Sequence, residues 1–298
     1  MTGEAGYQSG FISIIGAPNV GKSTLMNRLV GQKISIVSDR AQTTRNRVMG
    51  VCSRSGYQIV FLDTPGVTTP KNRLGEYMLR VAYESLSEVD AIVFMVDAAR
   101  GIGAKDEALI EKLRTAKAPV LAALNKVDFA LPEDKLTARE RLKKEAFLRG
   151  LYEISALNGQ GLAELESRLR GYLPEGPQYF PDDMVTDQPE RVLCGEILRE
   201  KALMLLREEV PHGLGVGIDK MQQREDGLMD VWATIYCERD SHKGIIIGKQ
   251  GSMLKRIGTD ARKDIEWLLG TRVNLQLWVK VKEDWRNSAA MLNELGYE

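Results

Sequence analysis

The chain has 298 residues, 43% of them hydrophobic, which is too long for one typical domain and enough to bury two cores. Its 41 Lys and Arg are balanced by 41 Asp and Glu, so bulk charge does not mark a nucleic-acid binder and any such surface must be local. Three scattered cysteines without a CxxC pair and two distant histidines, His212 and His242, exclude a disulfide framework and argue against a metal cluster. This cysteine usage suits a reducing cytosol. The first residues carry no apolar core of a leader, and no apolar run approaches the roughly 20 residues of a bilayer span. The expectation is a cytoplasmic protein, with peripheral membrane contact left open.

In chain order, residues 11–15 form an apolar run. Gly16-Ala17-Pro18-Asn19-Val20-Gly21-Lys22-Ser23 follows, and then a helical pattern from Thr24 to residue 30. A glycine-rich turn between strand and helix is the context in which GxxxxGK(S/T) cradles phosphates. Gly16 and Gly21 let backbone N–H groups converge on one anion, and the helix N-terminus adds its dipole. Lys22 supplies an ammonium for the outer phosphates and Ser23 a hydroxyl for Mg²⁺. The stretch Ala41-Gln42-Thr43-Thr44-Arg45 is polar and loop-like. A threonine here can join a Mg²⁺ shell once a γ-phosphate is present, and spacing does not choose between Thr43 and Thr44.

Further apolar runs at 48–53, 57–62, 91–96, 120–124 and 151–154 read as strands, the later ones buried on both faces of a mainly parallel sheet. Between them, Leu74, Met78, Val81 and Ala82, then Leu109 and Leu113, then Leu162, Leu165 and Leu169 keep helical spacing. The expected fold is α/β and doubly wound, with its ligand at the carboxyl ends of the strands. Asp63-Thr64-Pro65-Gly66-Val67 ends one strand. Asp63 can hold Mg²⁺ through a water, and the Gly66 N–H can meet a γ-phosphate. Asn125-Lys126-Val127-Asp128 ends another. The Asp128 carboxylate can accept two hydrogen bonds from guanine, which adenine does not offer. Asn125 and Lys126 would brace the base and the glycine loop. Ser155-Ala156 falls where a backbone N–H could meet guanine O6.

Two prolines and a glycine within residues 172–177 end the last helix. The expected division is a nucleotide domain over 1–173, a linker over 174–189 and a second domain over 190–298. That second domain reads helix (192–209), strand (215–222), strand (231–237), a helical region, then strand (273–281), with Glu225-Asp226-Gly227 as a hairpin turn. In the helical region lies Gly244-Ile245-Ile246-Ile247-Gly248-Lys249-Gln250-Gly251. A GxxG turn between helices lets a nucleic-acid backbone approach closely. Six bases, Lys243, Lys249, Lys255, Arg256, Arg262 and Lys263, face one acid, Asp260, between residues 241 and 263. The expected contacts to RNA are Gly244, Ile245, Ile246, Gly248, Lys249, Gln250, Gly251, Lys255 and Arg256. One of Ile245 and Ile246 is expected in the core. Trp285, Met291 and Leu292 are expected to pack back from a C-terminal tail.

Taken together, GAPNVGKS, QTTR, DTPG, NKVD and the Ser155-Ala156 pair resemble, in order and spacing, the Era family of translation-factor-related GTPases. The second domain resembles a type II KH domain, and the two resemblances cover nearly the whole chain. Residues 181–183, 186–188, 278–282 and 285–286 also look like that family. The resemblance implies a monomeric, Mg²⁺-dependent GTPase with Ser23, Thr44 and Asp63 at the metal, and Lys22, Asn19, Thr44 and Gly66 at the reaction. It implies binding to the 3′ end of 16S ribosomal RNA and a part in maturing the small ribosomal subunit. The chain departs from Ras-type enzymes at Val67, where a water-orienting glutamine would stand, and from many relatives at Thr68, where they carry histidine. Asn19 stands where related potassium-activated GTPases carry asparagine, which makes a K⁺ ion at the phosphates an expectation. Other classes fit parts of the pattern: an RNA-binding module with a vestigial nucleotide site, or a membrane-associated or cell-cycle signalling GTPase. An ATP-dependent enzyme fits poorly with Asp128.

Overall fold

The computed structural model describes residues 6–38, 40 and 43–297; Ala41 and Gln42 of the expected loop lie outside the described residues. The chain forms two compact units. The first holds Met1–Ser35, Thr44–Thr69 and Met78–Asp187, the second Ile36–Thr43, Pro70–Tyr77 and Gln188–Glu298.

The first unit is built on six strands: β1 Gln8–Gly16, β2 Val48–Arg54, β3 Tyr57–Asp63, β4 Ala91–Asp97, β5 Val120–Asn125 and β6 Leu148–Glu153. Their order is β2-β3-β1-β4-β5-β6, and neighbours pair parallel except β2 with β3. Side chains alternate across a strand, so β4 feeds two layers. Val93 and Met95 pack with Leu25, Met26 and Leu29 of α1 (Lys22–Val30) and Leu165 and Leu169 of α5 (Leu162–Arg170). Ile92, Phe94 and Val96 pack with Ala82 of α2 (Arg73–Glu84), Leu109 and Leu113 of α3 (Ala104–Leu113) and Ala138 and Leu142 of α4 (Pro132–Lys143). The neighbours of β1 continue to opposite sides of the sheet. This switch point opens a crevice at its carboxyl end, where Gly16 lies.

Sequence periodicity gave no sign of α4, because only Ala138 and Leu142 of its 12 residues are buried. Its signals are at its ends: Pro132 in the first turn, Glu133 and Asp134 beside it, and Arg141 and Lys143 in the last turn. The expected two-sided burial holds for β4 and β5 and fails for β6, an edge strand with half-buried residues. Residues after α5 do not leave the unit. The Ser9 amide donates to the Pro174 carbonyl, the Gln58 side chain bonds Tyr179 and Phe180, and the Val51 amide of β2 donates to the Val185 carbonyl at 2.8 Å. The Thr186 hydroxyl donates to the Met49 carbonyl.

The second unit carries α6 (Glu190–Leu205), a 3₁₀ turn (Val210–Gly213), β7 (Gly215–Gln223), β8 (Met229–Cys237), α7 (Asp240–Ile247), α8 (Ser252–Leu269), β9 (Val273–Val281) and α9 (Ala289–Glu294). The sheet order is β7-β8-β9, antiparallel then parallel. Cys194, Leu198 and Ala202 of α6 and Ile257, Ala261 and Ile265 of α8 are spaced by four and meet in one core. Helix α6 stops at Leu205, short of the expected residue 209. Leu206 turns extended and is buried, and Val210 is buried beyond it. Trp285 is fully buried with its indole N–H on the Gly213 carbonyl at 2.9 Å, and Met291 and Leu292 are buried as expected.

Candidate functional site

The glycine loop closes β1 and opens α1. Gly21 has φ 103 and Asn19 φ 66, both left-handed. A Cβ on Gly21 would stand 2.3 Å from Asn125 Nδ2, and one on Gly16 2.5 Å from the Met95 carbonyl oxygen. Both positions therefore need glycine for space, and Gly21 needs it for conformation as well. Lys22 is buried, and its ammonium donates to the Gly16 and Ala17 carbonyls at 3.1 and 3.0 Å. Burial pushes it down to about 8, against the pull of the Asp63 charge. An ammonium held on the loop's own carbonyls is ready to move onto a phosphate.

Four side chains meet at one carboxylate oxygen. Asp63 Oδ2 accepts from Ser23 at 2.7 Å, Ser35 at 2.9 Å and Thr44 at 3.4 Å, and the Ser23 and Thr44 hydroxyls lie 2.9 Å apart. Asp63 is fully buried and its Oδ1 has no hydrogen-bond partner. Burial raises its carboxyl, while Lys22 and the three hydroxyls hold it down. Hard oxygen donors around an under-satisfied buried carboxylate fit a small divalent cation such as Mg²⁺. The two candidate threonines separate here. Thr43 Oγ1 donates to the Arg40 carbonyl at 2.7 Å, and Thr44 is the one at Asp63.

Gly66 lies against the glycine loop. A Cβ there would stand 2.7 Å from Pro18 Cα, and the Val67 amide donates to the Gly16 carbonyl at 3.2 Å. The Thr64 hydroxyl is buried on the Ile14 carbonyl at 2.8 Å, a tie of the fold. Val67 is packed in the core with Ile15 and Phe94, so its side chain faces no solvent.

At the other end of the loop, Asn125 Nδ2 donates to the Val20 carbonyl at 2.7 Å and Asn125 Oδ1 accepts from the Ala156 amide at 2.9 Å. The Lys126 ammonium bonds the Asn19 carbonyl at 2.8 Å and Asp97 Oδ2 at 2.7 Å. Glycine loop, Asn125-Lys126 and Ser155-Ala156 are thus one hydrogen-bonded frame, with Asp128 exposed at its rim. The Ser155 amide donates to the Gln160 carbonyl. Both amides of the Ser155-Ala156 pair therefore have protein acceptors.

In the second unit, α7 ends at Gly248 (φ 73), Gln250 has φ 52, and Gly251 (φ 78) caps α8. A Cβ on Gly248 would stand 2.7 Å from Met253 Cβ, whereas Gly244 has open space around it. Ile246 is buried and Ile245 is 48% exposed. Lys249, Gln250, Lys255 and Arg256 are exposed. A groove of about 360 Å³ runs from Gly251 along α8 to β9, lined by Leu254, Lys255, Gly258, Arg262 and Leu277 among others. Arg256 is not among its walls.

Residues 11–126 match the family described as 50S ribosome-binding GTPase, and residues 209–286 match the KH domain family. The chain is 51% identical over 292 residues to the GTPase Era of Ruminiclostridium cellulolyticum, covering 98% of both. It is 53% identical over 293 residues to the GTPase Era of Clostridioides difficile, covering 98% of this chain and 99% of that one. The chain belongs to the Era family of GTPases. Its fold matches a crystal structure of Era in complex with MgGDPNP and nucleotides 1506–1542 of 16S ribosomal RNA, with TM-score 0.94, 43% identity and coverage of 98% and 99%. A variant of Aquifex aeolicus Era bound to GDP·AlF4⁻ matches with TM-score 0.93 and 43% identity over 97% of this chain and 99% of that one.

Two residues of this Era-family site escape sequence reasoning. Ser35 lies in an irregular segment with no pattern to mark it. Asp97 ends β4 as Asp63 ends β3, and an acid at a strand's carboxyl end was the available signal.

Proposed function

We propose that this chain is a GTP-hydrolysing switch whose second unit binds the 3′ end of 16S ribosomal RNA during assembly of the small ribosomal subunit. The observation that carries the reading is the near-full-length likeness to an Era bound at once to MgGDPNP and to that RNA. The constellation at Asp63 and the strained Gly248–Gly251 turn support it in this chain. The division we read is a GTPase domain over 1–173 and a KH domain over 190–298 in a cytoplasmic monomer, with the connecting residues 174–187 laid along the sheet of the first unit. Among the described residues no helix is long and apolar enough to cross a membrane.

Ser23 and Thr44 would hold Mg²⁺ directly and Asp63 through a water. The ion would neutralise charge on the β- and γ-phosphates. The amides of residues 17–24 cradle the phosphates, Lys22 moves from its loop carbonyls onto their outer oxygens, and the Gly66 N–H meets the γ-phosphate. Asp128 reads guanine and Lys126 lies along the base; the Ser155-Ala156 amides, both on protein acceptors, frame the base side of the site. With Val67 buried, no side chain at that position orients a water. Asn19 would help hold a K⁺ ion, which would supply positive charge at the phosphates as an arginine finger does elsewhere. Hydrolysis is then faster in K⁺ than in Na⁺, and Asn19→Ala removes the difference; equal rates in both salts would end that assignment.

The RNA-competent state is the GTP state, with the loops at Thr44 and Gly66 ordered by the γ-phosphate. RNA crosslinked to the protein with and without a GTP analogue, then sequenced, tests the whole reading. It predicts 16S 3′-end fragments, enriched with the analogue and lost in the Gly248→Asp, Gly251→Asp double variant. RNA recovery indifferent to both would refute it.

A further inference from the structure

The sheet of the second unit has two unlike faces. On one, Val231, Ala233 and Ile235 of β8 and Leu275 and Leu277 of β9 share a core with α6 and α8. Successive side chains of a strand alternate, so Trp232 and Thr234 of β8 and Gln276, Trp278 and Lys280 of β9 belong to the other face. The register sets Trp232 between Lys220 of β7 and Gln276, and Thr234 beside Trp278. C-terminal residues close one end of this outer face. A Cβ on Gly215 would stand 2.9 Å from Leu295 Cδ1, and the Tyr236 hydroxyl donates to Glu294 at 3.0 Å. Beyond that end, Trp278 is 44% exposed and Trp232 is half-buried, and Lys220 and Lys280 are exposed.

A single exposed tryptophan means little. Here a second indole lies one strand over, with the Lys220 ammonium 5.2 Å from its ring centroid, and Lys280 follows Trp278 on the same face. The acids of the face are already engaged. Asp219 accepts from the Thr234 hydroxyl at 2.8 Å, and Asp230 from Arg224 at 2.5 and 2.6 Å and from Asn274 at 2.7 Å. An aromatic ring among exposed cations is how proteins bind single strands, with stacking for the base and charge for the backbone. Protein interfaces, by contrast, are depleted in lysine. The position fits as well. β9 is the edge strand of the sheet, and its Leu275 and Leu277 line the groove that runs from Gly251 along α8. Gln276 and Trp278 lie on the reverse of that strand, so an RNA strand in the groove has only to turn over the sheet edge to reach them.

We propose that the outer face of this sheet is a second contact for single-stranded RNA. Trp278 stacks an unpaired base, Lys220 and Lys280 meet the neighbouring phosphates, and the Trp232 ring holds Lys220 in place. The inference rests on the reading of the glycine turn and its groove as an RNA site. It adds nucleotides beyond those the groove holds.

The test uses the full chain and two RNAs. One is nucleotides 1506–1542 of 16S ribosomal RNA, the segment in the Era complex. The other is a piece of it about four nucleotides long, the length a glycine turn of this kind clamps. Trp278→Ala should weaken the long RNA about tenfold and leave the short one within about twofold. Trp278→Phe keeps a ring and should recover most of the loss. The long RNA should quench tryptophan emission in the parent and less so in Trp278→Phe. Lys220→Gln with Lys280→Gln should reduce the slope of log affinity against log salt for the long RNA by about 1.4, at about 0.7 per phosphate. Equal affinity of the parent and Trp278→Ala for the long RNA would overturn the proposal. So would an equal loss on the short RNA, which marks damage to the groove. A Trp278→Ala protein that binds both RNAs normally but no longer cosediments with small ribosomal subunits would also overturn it, by giving the face to a protein partner. A parent protein that binds neither RNA would instead refute the RNA reading of the groove.

Discussion

Asn125 offers the sharpest quantitative test of the frame. Its amide serves two buried backbone groups at once, the Val20 carbonyl at 2.7 Å and the Ala156 N–H at 2.9 Å. These partners fix the amide orientation, since the carbonyl needs a donor and the N–H an acceptor. Asn125→Ala leaves both unpaired. Each such group costs about 1–3 kcal/mol, so the loss is at least about 2 kcal/mol. For a unit of this size that lowers Tm by about 4–8 °C. GDP affinity falls as well, because the loop and Ser155-Ala156 lose their shared brace. Asn125→Asp is the stronger discriminator. It keeps the acceptor for Ala156 but sets a carboxylate oxygen against the Val20 oxygen, so it should be no milder than alanine despite its shape. Thermal unfolding of the nucleotide-free protein and GDP titration measure both. An aspartate variant within about 1 °C of the parent, with GDP affinity intact, would refute the reasoning.

Four further outcomes are expected. Lys22 sits near 8 when only protein surrounds it, and phosphate oxygens raise it, so nucleotide binding at pH 8 should take up about half a proton. The calorimetric enthalpy then varies with buffer ionisation, and a buffer-independent enthalpy would refute this. In the nucleotide-free protein, between about 8 and 10.5, only the unfolded chain holds the Lys22 proton. Stability should therefore rise with pH across that window, and Lys22→Met should flatten the rise. Gly66→Ala places a methyl 2.7 Å from Pro18 Cα and should cut turnover at least about tenfold with GDP binding retained, read as a kcat loss. Asp128→Asn should shift preference from guanine toward xanthine nucleotide, measured by competition.

The sheet of the first unit was legible because its central strands are short unbroken apolar runs, each ending in a residue with chemistry: Gly16, Asp63, Asn125. Helix α4 was not, since two buried side chains in twelve residues leave no periodic trace. Spacing left Thr43 and Thr44 open and only the family resemblance favoured Thr44, because adjacent residues of one loop differ only in where the backbone turns them. The groove along α8 was half legible. Lys255 follows from charge near the glycine turn. Gly258 and Leu277 line it only because α8 and β9 pack, with a Cβ on Gly258 falling 3.0 Å from Leu277 Cδ1.

The extended residues after α5 also have a bearing on handling the protein. β2 is an edge strand that begins with the apolar stretch Val48-Met49-Gly50-Val51-Cys52, and its outer backbone is engaged by Val185 and Thr186. An uncovered edge of that composition is a template for pairing with another chain. A fragment cut after Leu173, where the last helix of the first unit has ended, would uncover it and should self-associate. One cut after Asp187 would keep its own cover and should stay monodisperse. The tract that looks like a spacer in the sequence is in this sense the hem of the sheet.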